Sequence, residues 1–91
     1  MPNVKWSDPA RADLLNIVGY ISEDNPDAAQ RLKDEIETKA EGLAQRPRLY
    51  RVGRMIGTRE MVVRRNYVVV YRETIDRVEV LRVIHTARQW P

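Results

Sequence analysis

Cysteine is absent from the chain and histidine occurs once, at His85. The first absence removes disulfides and thiolate metal sites, and the second leaves too few soft ligands for a transition-metal centre. No cofactor or metal is therefore expected. No apolar run approaches the roughly 20 residues of a membrane span. The opening MPNVKWSDPA lacks the apolar middle of a signal peptide. These absences fit a soluble cytoplasmic protein. Repeats, low-complexity tracts and composition breaks are missing too, so residues 1–91 are read as one domain.

What is present is unevenly distributed. Residues 1–45 hold five Lys/Arg against nine Asp/Glu, and residues 46–91 hold eleven against four, so the halves carry −4 and +7. Every cation of the second half is arginine. Its planar fork binds phosphate or carboxylate in a way lysine does not, so an anionic partner is expected for that half. A solvated basic face is the plainer alternative.

From Gly57 onward, three runs rich in β-branched and aromatic residues stand out: Thr58 to Arg64, Tyr67 to Thr74 and Arg77 to Ile84. Only Arg65-Asn66 and Ile75-Asp76 separate them, which forbids crossover helices and makes the unit an antiparallel meander. Alternation assigns Val78, Val80, Arg82 and Ile84 to one face of the last strand, against Glu79, Leu81 and Val83. An arginine on such a run is either sheltered by a carboxylate or faces a groove.

Upstream, Val4-Lys5-Trp6 reads as an edge strand. Ser7 or Asp8, followed by Pro9, starts a helix whose stripe is Leu14, Ile17, Val18 and Ile21. Gly19 within it is expected to admit a close neighbour. Asn25-Pro26 opens a second helix with the stripe Ala29, Leu32, Ile36, Ala40 and Leu43, ending at Arg46-Pro47. The short link makes an antiparallel hairpin. Residues 46–57, RPRLYRVGRMIG, read as a loop in which apolar residues interleave with Arg46, Arg48, Arg51 and Arg54. Those apolar groups either tuck the loop onto the core or join the arginines in a binding surface. The predicted class is α+β: an N-terminal strand and an antiparallel helix hairpin packed on a C-terminal three-stranded antiparallel meander.

Taken together, Trp6-Ser7, Ala10, Asp13-Leu14, Tyr20-Ile21, Asn25-Pro26, Ala28-Ala29, Pro47, Gly57 to Glu60, Asn66-Tyr67, Val70 to Arg72 and the ending Val83-Ile84-His85 to Arg88-Gln89-Trp90-Pro91 resemble the RelE/ParE superfamily of bacterial type II toxins. The resemblance implies a cognate antitoxin as partner, with operator DNA reached only through that antitoxin. It also implies one of two activities. RelE-like members cleave messenger RNA on the ribosome with arginines, lysines and a late tyrosine. Here Val68 stands where their pattern has an arginine, and no tyrosine follows Tyr71.

ParE-like members block DNA gyrase by binding, and the ending Arg88-Gln89-Trp90-Pro91 is similar to theirs. The resemblance thus points to a gyrase-directed toxin without catalytic residues, with Arg59, His85, Arg88, Gln89 and Trp90 as its target-binding set. Two alternatives stay open: an mRNA endoribonuclease using His85 as acid or base, and a non-toxic nucleic-acid-binding or adaptor domain. For His85 a hydrogen-bonded structural role competes with catalysis. For Arg59 an ion pair with Glu60 competes with an anion contact, and for Trp90 self-packing competes with a partner contact.

Overall fold

A computed structural model describes residues 3–87. Strand β1 (Asn3–Trp6) leads into helix α1 (Asp8–Ser22), then α2 (Pro26–Glu41), a single 3₁₀ turn (Gly42–Ala44), and strands β2 (Arg51–Val52), β3 (Arg59–Val63), β4 (Tyr67–Glu73) and β5 (Arg77–His85). The sheet order is β1-β5-β4-β3-β2. β1 runs parallel to β5 and the other pairs are antiparallel. The predicted meander and helix hairpin are both present.

Ser7 rather than Asp8 is the cap of α1. Its Oγ accepts the Ala10 N–H at 3.1 Å and donates to the Leu81 carbonyl at 3.0 Å, while its own N–H donates to Val80 O at 2.9 Å. One residue thus ends β1, starts α1 and fastens both to β5. Asn25 Oδ1 accepts the Ala28 N–H and caps α2 in the same way. Ala10, Leu14 and Ile17 of α1 and Ala29, Leu32, Ile36 and Ala40 of α2 are buried, with Val18 and Ile21 packed at the margin. The α-helix stops at Glu41 instead of running to Arg46-Pro47. Gly42 is a poor helix former, and the tighter turn that follows keeps Leu43 in the core. Gly19 faces open space, so it admits no close neighbour.

Three departures from the sequence reading shape the sheet. A fifth strand, β2, arises inside the predicted loop and pairs Arg51 with Glu60 and Val52 with Arg59. The β3–β4 turn is three residues, 64–66, with Arg64 and Arg65 both left-handed at φ 54° and 70°. That conformation costs an L-residue roughly 1–2 kcal/mol. The turn is held from outside, because Asn66 O accepts the Thr86 N–H at 2.8 Å.

The third departure is a bulge in β5. Val70 faces Arg82 but Tyr71 faces Val80, so Leu81 is an extra residue. An inserted residue reverses the alternation beyond it. Val78, Val80 and Val83 therefore share the core face with Met61, Val63, Tyr67, Val69 and Tyr71, under the helices. Arg82 and Ile84 turn to the opposite side, where Ile84 joins Val68 and Val70 in a second buried cluster. The predicted grouping of Val80 with Arg82 and Ile84 is thereby corrected.

Candidate functional site

Beyond Trp6 the chain leaves β1 for α1, which exposes the far half of β5 as a sheet edge. Asp13, one and a half turns into α1, is aimed at that edge. Its Oδ2 accepts the Val83 N–H at 2.9 Å and the Arg82 Nε at 2.7 Å, and its Oδ1 accepts Arg82 Nη2 at 3.0 Å. The fork-on-carboxylate bond and the adjacent charge raise the Arg82 pKa above its ordinary value, so the group is a fixed cation. Of the two expectations for Arg82, shelter by a carboxylate is the one realised.

At the end of β5, His85 lies opposite Tyr67 of β4, ring centroids 5.0 Å apart at 50°. Ile17, Tyr20 and Ile21 of α1 complete a cleft of about 150 Å³ around these two rings. His85 Nδ1 is buried there without a hydrogen-bond partner. The expected hydrogen-bonded histidine is thus not found at that nitrogen, and an orphaned buried acceptor or donor is costly unless something fills the site.

Arg59 sits at the other end of the same face, opposite Tyr71. The partners of Arg59 and His85, Tyr71 and Tyr67, are four steps apart on β4, about 13 Å along the strand. Arg59 Nη1 donates to the Tyr50 carbonyl at 2.8 Å and Tyr71 OH donates to the Pro47 carbonyl at 2.7 Å. Burial pushes the Tyr71 phenol up, and the Arg59 charge opposes it in part. Together they strap residues 47–50 to the sheet. Glu60 bonds elsewhere: Arg51 Nε and Nη2 donate to its Oε1 at 3.1 and 3.0 Å, and the Arg54 N–H donates to Oε2 at 3.0 Å. Its carboxylate is 4% exposed.

Other arginines are bonded likewise. Arg72 and Arg77 both bond Glu79, at 2.7 and 3.1 Å, and these bonds, Arg72 first, lower its pKa. Arg64 bonds Glu35 at 2.7 Å and Arg48 bonds Glu73 at 3.0 Å. On the helix pair, Trp6, Arg11, Leu14, Leu15, Lys33 and Glu37 line a groove of about 240 Å³. Among the described residues no His/Cys/Asp/Glu group is arranged to hold a metal ion, and no helix is long and apolar enough to cross a membrane.

Residues 4–90 match the family described as the ParE toxin of the parDE type II toxin–antitoxin system. The chain belongs to the ParE toxin family. It is 40% identical over 89 residues to the putative toxin Y4kP of Sinorhizobium fredii, covering 97% of this chain and 92% of that protein. It is 38% identical over 88 residues to toxin RelE2 of Caulobacter vibrioides, covering 97% and 99%. The fold matches a chain of a chromosomal ParDE system from P. aeruginosa with TM-score 0.82 at 22% identity, covering 93% and 96%. A ParE toxin has a cognate antitoxin as partner.

Within this ParE toxin the predicted site residues do not form one cluster. His85 lines the α1 cleft, Arg59 holds the loop at the opposite end, and Arg88, Gln89 and Trp90 lie outside the described residues. Asp13, Glu60 and Tyr71 were named only as parts of the family resemblance, and Glu60 also as a possible ion-pair partner of Arg59, without a bonding role of the kind seen here. For Asp13 the other signal was an acid placed off the apolar stripe of α1, a position that most solvated acids share.

Proposed function

We propose that this ParE toxin arrests growth by gripping DNA gyrase rather than by cutting RNA, and that its antitoxin docks a helix in the groove of the helix pair. The reading is supported chiefly by the state of the sheet's arginines. In-line cleavage of a phosphodiester needs cations converging on the phosphorane beside a proton acceptor. Here Arg51, Arg64, Arg72, Arg77 and Arg82 already bond carboxylates, and Arg59 bonds a carbonyl. His85 packs against the Tyr67 ring, and among the described residues no arginine lines its cleft.

Target contact in this reading is led by Arg88, Gln89 and Trp90, which lie three to five residues beyond His85 in the sequence, and Arg59 serves through the loop that it straps down. The apolar wall of Trp6 and Leu15 between Arg11, Lys33 and Glu37 suits an amphipathic helix. Inhibition of supercoiling by the purified chain is the deciding assay. Removal of residues 88–91 is expected to abolish growth arrest and leave antitoxin affinity intact. Undiminished supercoiling together with messenger RNA cut at ribosomes would assign the toxin to the RelE-like mechanism instead.

A further inference from the structure

Residues 46–57 were expected either to pack their apolar groups on the core or to present them. Only Tyr50 packs against it. Leu49 is 59% exposed, Val52 72% and Met55 54%, and Ile56 at the tip of the β2–β3 hairpin is fully exposed. Four aliphatic side chains within eight residues form a patch of the kind that marks an interaction surface.

The patch is carried on a stiff support. Gly53 N–H donates to the Thr58 carbonyl at 2.8 Å, and Thr58 N–H and Oγ1 both donate to Met55 O, at 3.1 and 2.7 Å. The Arg54 N–H is held by the buried Glu60 carboxylate. Gly57 closes the tip at φ 81°, and any side chain on Gly53 would collide with Thr58. Hydrogen bonds on both sides of Ile56 hold the backbone of the tip, which reduces the ordering cost of binding.

Charge chooses the occupant. Residues 46–57 contain Arg46, Arg48, Arg51 and Arg54 and no acid, and with Arg48 and Arg51 bonded to Glu73 and Glu60 an excess of two positive charges remains there, so two such hairpins repel each other and an acidic surface attracts them. The exposed groups Leu49, Val52, Met55 and Ile56 offer no ring on which a base stacks. A nucleic acid is therefore the poorer fit. β2 and β1 are opposite edges of the sheet, four strand spacings or about 19 Å apart, so a partner in the helix groove beside Trp6 leaves the hairpin open.

We infer that the β2–β3 hairpin is a plug by which the toxin engages its protein target, Ile56 and Met55 entering an apolar pocket rimmed by carboxylates that face Arg46 and its neighbours. The inference rests on the toxin acting by holding a protein, and not on that protein being gyrase.

The test expresses the full chain as Ile56→Asp, Ile56→Ser and Arg46→Glu, each checked for an unchanged melting profile. The amount of Ile56→Asp protein needed for growth arrest is expected to rise by roughly 10-fold or more, with Ile56→Ser intermediate, as for a central anchor. Affinity for the cognate antitoxin stays unchanged. Arrest by Ile56→Asp at the wild-type level overturns the inference, as does a parallel loss of antitoxin affinity. Loss of binding to a single-stranded RNA or duplex DNA oligonucleotide in step with arrest overturns it as well. Gyrase is judged separately: a wild-type chain that leaves supercoiling intact while Ile56→Asp loses arrest sinks the gyrase reading alone, whereas equal inhibition by both chains sinks the plug alone.

Discussion

At the scale of single residues, stability and function meet at carboxylates that the composition could only count. Asp13 satisfies a strand N–H and a guanidinium at once, in a position 10% exposed. Replacing it with alanine leaves the Val83 N–H without its acceptor, and a destabilisation of about 1–3 kcal/mol is expected in chemical denaturation. Asp13→Asn, which keeps one acceptor, is expected to recover part of it. Glu79 supplies a pH dependence with a definite sign. Its folded pKa lies below the unfolded value because Arg72 and Arg77 favour the ionised form. The stabilisation is therefore complete above the unfolded carboxylate range and disappears as pH falls through the folded pKa. In acid titration, Glu79→Gln is expected to lose less stability on acidification than the wild type over that window. Equal slopes would remove Glu79 from the account.

At the scale of elements, the helices were the most legible part of the chain. The stripes at Leu14 to Ile21 and Ala29 to Leu43 needed only the 3.6-residue period, and both caps precede a proline. The bulge at Leu81 was illegible for the opposite reason. An added residue is visible only against the strand it pairs with, and both faces of β5 carry apolar side chains that mask the reversal. β2 was hidden by its length, since two residues paired to β3 have no periodicity of their own. Gly19 gives a direct check on the α1 reading. With open space at its missing Cβ, Gly19→Ala is expected to stabilise the fold by about 1 kcal/mol, a rise of roughly 4–8 °C in melting temperature. A fall would mean that the helix is packed there after all.

For the whole molecule, the charge imbalance between halves was plain in the sequence, but its use was not. Local pairs use acids that residues 46–91 themselves contain, and of the remaining positive excess Arg64 and Arg82 reach back to Glu35 and Asp13 in the acidic half. Pairings of that kind depend on which helix face lies over which strand, and composition is silent on it. The candidate site was correspondingly only half readable: His85 lines a real cleft, Arg59 works on a loop, and for the apolar groups of residues 46–57 the sequence left packing on the core and presentation to a partner equally open.

The parallel pairing of β1 with β5 joins Asn3 to Arg77, so Asn3–Trp6 have no strand to lie beside until residues 77–80 have been made. During synthesis the helix hairpin emerges long before the sheet that it must cover. A fragment that stops ahead of β5 leaves β1 and β4 without the strand that lies between them, so the five-stranded sheet cannot close around its core.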